Sequence, residues 1–391
     1  MAGPAVADAP VACHAALVRV LVIGAGVAGL TLAARLCQQG RPPVVAERSV
    51  SADHGYAIGL YPLGSCVLHG LGTYDALARQ AVALERYEVS SVAGRLLLSL
   101  DMSVLTSGAG PLYMVTREDL LRLLESSCVP AELRRGVSVR SLAQQPDDVT
   151  VTFDDGSAQK FDAVVGCDGM HSATRDLAFG PASGFESGWL LWTWWAGRGM
   201  FDPTVAREWW GAGSFFGVYP VASQVMCAAG GPAPDASDDD VRSYVRRQQA
   251  ALCDREPAVA AAVDELDHPH PWVMADRRCR RWVQHRVALC GDSAVAFMPT
   301  AGVGASAAMR EAAGLADELS RADAAAAPLA LERYEKRCRA FAERSQAESR
   351  RLARAMFVRR PLVARLRDQV VRHYPASLAL REIIASMHQP F

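Results

Sequence analysis

Val18-Arg-Val-Leu-Val-Ile-Gly24-Ala-Gly26-Val-Ala-Gly29, followed by Leu30 to Cys37, is the stretch that decides the fold. A short apolar, β-branched run ends in glycine and gives way to helix-forming composition, so the spacing predicts strand, turn and helix. The next apolar run, Pro43-Val-Val-Ala-Glu47, follows the helix-ending Gly40 and closes a βαβ unit with an acid at its strand end, 23 residues beyond Gly24. In such a unit the first glycine permits a sharp turn, the second lets backbone approach a pyrophosphate, and the third lets helix and strand pack closely. The helix start presents free N–H groups and a partial positive charge to the phosphates. The pattern predicts dinucleotide binding, with Glu47 accepting hydrogen bonds from a ribose; an unliganded α/β turn is the alternative.

Working outward, Gly55 to Gly72 is glycine-rich and then helical, and Thr116-Arg117-Glu118-Asp119-Leu120 opens a helix with a Thr cap and acids in its first turn. Val137 to Phe153 alternates as a hairpin, with Asp154-Asp155-Gly156 as a turn signal. Phe161-Asp-Ala-Val-Val-Gly166 reads as a buried strand, and Arg286-Val-Ala-Leu-Cys-Gly291 repeats the strand-then-glycine pattern before a long helix from about Val303 to Leu319. Between them, Gly188 to Ala229 turns aromatic and β-rich, the start of a sheet outside the nucleotide fold. Asp240 is expected to cap a helix reaching about Cys253. The tail from Leu329 to Met387 reads as helical. It carries 13 basic and 4 acidic residues between Arg333 and Arg372, read as solvated helix faces or as a patch for an anionic cofactor or substrate.

Composition narrows the function. With 41 basic and 42 acidic residues the net charge is −1, so there is no overall field to draw the chain onto nucleic acid or anionic lipid. The longest uncharged stretch, Trp209 to Pro234, holds five glycines and three prolines and reads as strands and turns, not as a membrane span. Met1 to Leu17 has no positive residue before its apolar stretch and carries Asp8, so a cytoplasmic protein is expected. Ten cysteines without any C-x-x-C pair argue against a zinc module or a disulfide scaffold, and no metal site is expected.

Two further motifs join the first. Gly166-Cys167-Asp168-Gly169-Met170-His171-Ser172-Ala173-Thr174-Arg175 follows an apolar strand. Gly291-Asp292-Ser293 precedes Pro299 and Gly302-Val303-Gly304-Ala305-Ser306. With these three in order over residues 18 to 320, the sequence resembles the group A flavoprotein monooxygenases of the para-hydroxybenzoate hydroxylase type. The resemblance implies an α/β fold: a Rossmann-like FAD-binding domain of the glutathione-reductase type, an inserted, mostly antiparallel β-sheet substrate domain, and C-terminal helices. The expected division is 18–80, 98–180 and 285–325 for FAD, 81–97 and 181–284 for substrate, and 326–391 for the helical segment.

It also implies non-covalently bound FAD, with NAD(P)H as a transient reductant and O2 as co-substrate. The oxygenation would pass through a flavin C4a-hydroperoxide, and the chain would be a monomer or homodimer. Gly24, Gly26, Gly29, Glu47 and Arg48 would hold the adenosine half, Arg117 the pyrophosphate and ribityl region, Asp168 and Gly169 the FAD and NAD(P)H motif, and Asp292 the ribityl hydroxyls. Pro299, Gly302, Val303, Gly304 and Ala305 would lie beside the isoalloxazine, where a helix start stabilises negative charge on the reduced ring.

For a lipophilic aromatic or polycyclic substrate, Trp192, Trp194, Phe215 and Tyr219 are the expected contacts, with Trp209 a further one; alternation puts Trp192 and Trp194 on one face and Trp195 on the other. His54, Tyr56, Tyr61 and Pro299 are the catalytic candidates. The sequence departs from the family at Val295, where a histidine is common, at Met298, in place of a proline, and at Ser306, in place of an asparagine. These departures leave open a flavin enzyme without net oxygenation, such as a cyclase or dehydrogenase. A non-catalytic flavin-binding protein is a further reading. The only lysines, Lys160 and Lys336, do not stand where a flavin-dependent halogenase needs one, and Trp192-Thr-Trp194 runs on as Trp-Ala-Gly.

Overall fold

The computed structural model describes residues 17–51, 55–106, 108–233 and 240–373. The chain opens with β1 (Val20–Ile23), α1 (Val27–Gln38), β2 (Val44–Glu47), β3 (Ala57–Leu60), α2 (Pro62–Leu71), α3 (Tyr74–Gln80), β4 (Val82–Ala83), β5 (Arg86–Ser91), β6 (Leu96–Asp101), α4 (Met102–Leu105), β7 (Tyr113–Thr116), α5 (Arg117–Ser126) and β8 (Glu132–Arg135). There follow β9 (Val139–Gln144), β10 (Val149–Phe153), β11 (Ala158–Phe161), β12 (Ala163–Gly166), α6 (Ala173–Ala178), β13 (Ser183–Ala196), β14 (Val205–Trp210), β15 (Phe215–Pro220), β16 (Val225–Pro232), α7 (Val241–Cys253) and α8 (Pro257–Asp264). The chain continues through β17 (His270–Arg278), β18 (Val283–Gln284), β19 (Val287–Leu289), β20 (Val295–Ala296), α9 (Gly304–Ser320), α10 (Ala327–Met356) and α11 (Pro361–His373).

The first sheet runs β18-β19-β12-β1-β2-β8, and β1, β2, β8, β12 and β19 are parallel. Parallel strands covered on both faces read as unbroken apolar runs, and all four residues of β1 are buried. One face packs on α1 and α9; the other takes Val149, Val151, Phe153 and Phe161 from the three-stranded sheet β11-β10-β9. The hairpin expected over 137–153 is therefore two strands of three, because β11 continues the same alternation.

The second sheet runs β20-β17-β13-β16-β15-β14-β5-β6, antiparallel throughout except for the β14–β5 pair. Its β6 runs through Asp101, so residues 98–101 pair in this sheet rather than with the nucleotide fold. A small sheet, β3-β7-β4, lies between the two. Thr116 caps α5 as its sequence suggests, accepting from Asp119 N at 3.0 Å; Asp240 precedes α7 without a side-chain cap bond.

Helix α10 ties the halves together. Its Arg350 donates to both oxygens of the fully buried Asp276 on β17, and its Gln346 amide donates to Arg277 O and Ala296 O. No helix among the described residues is long and apolar enough to cross a membrane, and no metal-binding group of side chains occurs among them.

Candidate active site

The strand-to-helix turn is held by contact rather than by freedom alone. Gly24 has φ +105°, and a Cβ there would meet the Cys167 carbonyl at 2.5 Å; a Cβ on Gly29 would lie 1.8 Å from the Gly24 carbonyl. Only glycine lets α1 sit this close to β1 and β12. Gly26, the N-cap of α1, has nothing within 4 Å of its side-chain position, no side chain caps the helix and its first turn carries no acid. The leading N–H groups and the helix dipole are thus available to an anion.

At the end of β2 the Glu47 carboxylate is fixed by two backbone donors, Ala25 N at 2.7 Å and Ser49 N at 2.8 Å. It lines a 190 Å³ pocket together with Ala25, Leu30, Arg117, Arg122 and Arg135. Arg48 is exposed and does not line this pocket. Arg117 lies near the Tyr56 hydroxyl, which burial raises, Arg117 pulls down and Asp292 pushes up. Tyr56 is within electrostatic reach of both Arg117 and Asp292, and it packs edge-on against Trp272 at 4.7 Å.

The second and third motifs sit at the ends of the neighbouring strands β12 and β19. Arg175, 6% exposed, donates to Met170 O and to Ser293 O, joining one motif to the other, and Ser293 Oγ donates to Gly166 O. Asp168 is turned inward: one oxygen accepts from Ser172 Oγ and the other from Thr174 N at 2.9 Å and Thr174 Oγ1 at 3.0 Å. These bonds make Asp168 the centre of a cap network at the start of α6, and its Oδ1, with one protein donor, keeps acceptor capacity. Gly169 takes φ +80° in the turn beside it.

Asp292 is the opposite case. Its side chain is open to solvent along the cleft, and no donor among the described residues reaches its carboxylate. The surrounding protein nonetheless raises its pKa to about 6 through loss of solvation. A carboxylate held in a cleft with no protein donor fits a ligand rich in hydroxyls. Beneath it, Glu311 of α9 accepts from Gly291 N at 3.0 Å and is pushed to about 8, mainly by burial.

Beyond Asp292, Pro299 to Ala301 makes a short 3-10 turn, Gly302 adopts φ +63°, and α9 starts at Gly304 with neither a side-chain cap nor an acid in its first turn. Pro299 and Gly302 are exposed, Val303 is buried, and Gly304 and Ala305 are half-buried. Tyr61 is clamped over this turn. Its hydroxyl donates to Ala301 O at 3.2 Å and its backbone N–H donates to Ser306 Oγ at 3.0 Å. The Ser306 departure thus has a defined job, while Val295 and Met298 are core residues at 0% and 1% exposure.

Facing the turn is the second sheet. Ala206, Met114, Leu112 and Val221 form an apolar floor with Ala301 and Val303, against which Tyr61, Tyr87, Trp195, Tyr219 and Leu352 pack half-buried. The candidate site is thus made of three parts: the Glu47 and Arg117 pocket, the exposed Asp292, and the Gly302 turn with the half-buried aromatic cluster around Ala301 and Val303.

Residues 17–349 match the family described as FAD binding domain. The chain is 33% identical over 336 residues to 3-amino-4-hydroxybenzoate 2-monooxygenase PtnB3 of Streptomyces platensis, covering 81% of this chain and 83% of that protein. The chain belongs to the FAD-dependent monooxygenases. Another relative is the aurachin C monooxygenase/isomerase of Stigmatella aurantiaca, 28% identical and covering 81% of this chain and 84% of that one. In fold, the monooxygenase is similar to Klebsiella pneumoniae HpxO complexed with FAD and uric acid, with TM-score 0.85 and 23% identity over 95% of this chain and 96% of that one.

Several expected substrate contacts of the monooxygenase lie on the face of its second sheet that α7 and α8 cover. Trp192 packs on Tyr244 at 4.9 Å, Trp194 donates its indole N–H to Ala262 O at 2.8 Å, and Trp209 packs on Phe216, all in the core beneath α7 and α8. Phe215 is on the cleft side of the sheet but 2% exposed, sealed against Phe357. Of the expected aromatics Tyr219 alone is half-buried, packed against the cluster that holds Ala301 and Val303. Tyr87, Trp195 and Glu208 share this side of the sheet with Tyr219, and strand parity is the sequence signal that groups them. His54 lies outside the described residues.

Proposed function

We propose that this monooxygenase uses NAD(P)H and O2 to hydroxylate an aromatic ring bearing hydroxyl or amino groups, within the class that 3-amino-4-hydroxybenzoate represents. The observation that carries the reading is the half-buried Tyr61, Tyr87, Trp195 and Tyr219 surface set against the Gly302 turn. Flat apolar walls with a few polar tips suit an aromatic ring and fix its orientation.

In this reading the start of α1 holds the pyrophosphate, Glu47 and Arg117 the adenosine end, and Asp292 the ribityl hydroxyls. The amides from Gly302 to Ala305 face the isoalloxazine. When bound, FAD supplies two-electron acceptance from NAD(P)H and the activation of O2. This chain's residues do the rest. The uncapped start of α9 stabilises negative charge next to it, Ala301, Val303 and Met114 exclude water from the reacting edge, and the tyrosines orient the ring.

The test is O2 uptake and NAD(P)H oxidation by the FAD-loaded protein over a panel of aminophenols, hydroxybenzoates and polycyclic phenols, 3-amino-4-hydroxybenzoate included. Substrate-dependent uptake with one oxygen atom entering the product is expected. An absence of stimulation by every phenol and aniline overturns the reading.

A further inference from the structure

Glu208 of β14 is a buried acid, 5% exposed, in a sheet otherwise filled with aromatic side chains. Its Oε1 accepts from the Tyr219 hydroxyl at 2.7 Å and its Oε2 from the Trp210 indole N–H at 2.8 Å; the Tyr87 hydroxyl is within hydrogen-bonding reach of the same carboxylate. The arrangement is built in by packing. Gly217 pairs with Glu208 across the β14–β15 ladder, and a Cβ on Gly217 would meet the Tyr219 hydroxyl at 2.7 Å. Only a residue without a side chain lets the Tyr219 ring lie back over its own strand and reach the neighbouring one.

A carboxylate accepts and does not donate, so it fixes the direction of every hydrogen bond around it. With the hydroxyl proton of Tyr219 turned toward Glu208, its oxygen keeps a lone pair for a donor on the half-buried face. We infer that Glu208, acting through Tyr219, makes this face select substrates that donate a hydrogen bond, and that it stores the proton of a phenolic substrate during turnover. This rests on the aromatic-substrate reading above and names what in the site would recognise the ring's hydroxyl.

The step balances without a redox partner. The substrate O–H bond breaks and its proton joins the Tyr219 oxygen, while the original Tyr219 proton moves to Glu208 Oε1. Neutral phenol and carboxylate become phenolate and carboxylic acid, and the net charge of the site is unchanged. The hydroxylated product takes the proton back on leaving. An electron-rich phenolate is the better partner for an electrophilic oxygen.

The neighbours suit this role. Burial raises the Glu208 carboxyl above the ordinary carboxylate range and pushes the Tyr219 and Tyr87 hydroxyls far above theirs, so the tyrosines relay a proton rather than lose one. The other charged groups facing the cluster are Glu348 of α10, which acts on Tyr61, and Arg367 of α11, which lies 5.5 Å over the Trp210 ring. No cation among the described residues pairs with Glu208, so its charge is held by neutral donors alone.

The test uses FAD-loaded protein and 4-nitrophenol, whose anion is read by difference absorption, at about one pH unit below the probe's own solution pKa. The wild type is expected to show the bound anion band while releasing no proton to the buffer. Glu208→Gln is expected to show about a tenfold smaller anion fraction at that pH. In that variant the band follows a simple titration with one proton released. Tyr219→Phe, which keeps the acid and removes the relay, is expected to lose the band as well. A wild-type probe that stays neutral or fails to bind, an anion formed with a full proton released, or equal bands in wild type and Glu208→Gln overturns the inference. Loss of the flavin itself, or no oxygen uptake with any phenol, is instead a failure of the functional reading.

Discussion

Glu47 and Tyr219 belong to two separate parts of the candidate site, and the chain specifies them by different means. At the Glu47 end the work is done by backbone: helix-start amides, close-packed glycines and a carboxylate gripped by Ala25 N and Ser49 N. At the Tyr219 end it is done by side chains whose direction depends on strand parity. Residue types along the chain mark the first kind of site directly. The second kind also requires knowing which face of a sheet other elements cover.

That contrast can be broken most violently at Gly29. A methyl group there would sit 1.8 Å from the Gly24 carbonyl, so Gly29→Ala is expected to cost more than about 4 kcal/mol of stability and to yield protein without flavin; chemical denaturation and the visible spectrum check both. A folded, flavin-loaded Gly29→Ala protein would mean that the helix can move away from its strand.

Asp292→Ala is expected to act more mildly, weakening FAD by about 1.5–3 kcal/mol, the scale of hydrogen bonds to a charged group, with the melting temperature of the apoprotein little changed. The sign of the pH effect follows from the carboxyl's raised pKa of about 6. The ionised form accepts the ligand's hydroxyls, so wild-type FAD affinity falls as pH drops through that value. The alanine variant should show no such step when FAD binding is titrated by fluorescence across the same range.

Both positions can be picked out from the sequence. The turn glycines, Glu47 and the Thr116 cap follow from local chemistry, since each residue acts on backbone within a few positions of itself or at a strand end. Asp168 was legible in part: a carboxylate in a D-G-x-x-S stretch serves as ligand or cap, and the cap bonds show only once Ser172 and Thr174 are in place. The burial of Trp192 and Trp194 was not legible for another reason. Alternation separates Trp194 from Trp195, but nothing in that run tells which face α7 and α8 cover. Glu208 was hidden because an acid beside Arg207 looks solvated until its partners on β14 and β15 are in place. The residues of β6 from 98 to 101 were drawn into the wrong unit because their partner strand β5 pairs in turn with β14, more than a hundred positions later in the chain.

The central claim is that the tyrosine face, not the Trp192 and Trp194 face, meets the flavin and its substrate. Adjacent residues test it. The measurement is the dissociation constant, read from the flavin absorption band, of whichever aromatic compound drives oxygen uptake. Trp195→Ala is expected to weaken that ligand by about tenfold, while Trp194→Phe leaves the constant within about twofold and lowers only the melting temperature. Weakened binding in Trp194→Phe with unchanged binding in Trp195→Ala would contradict the account.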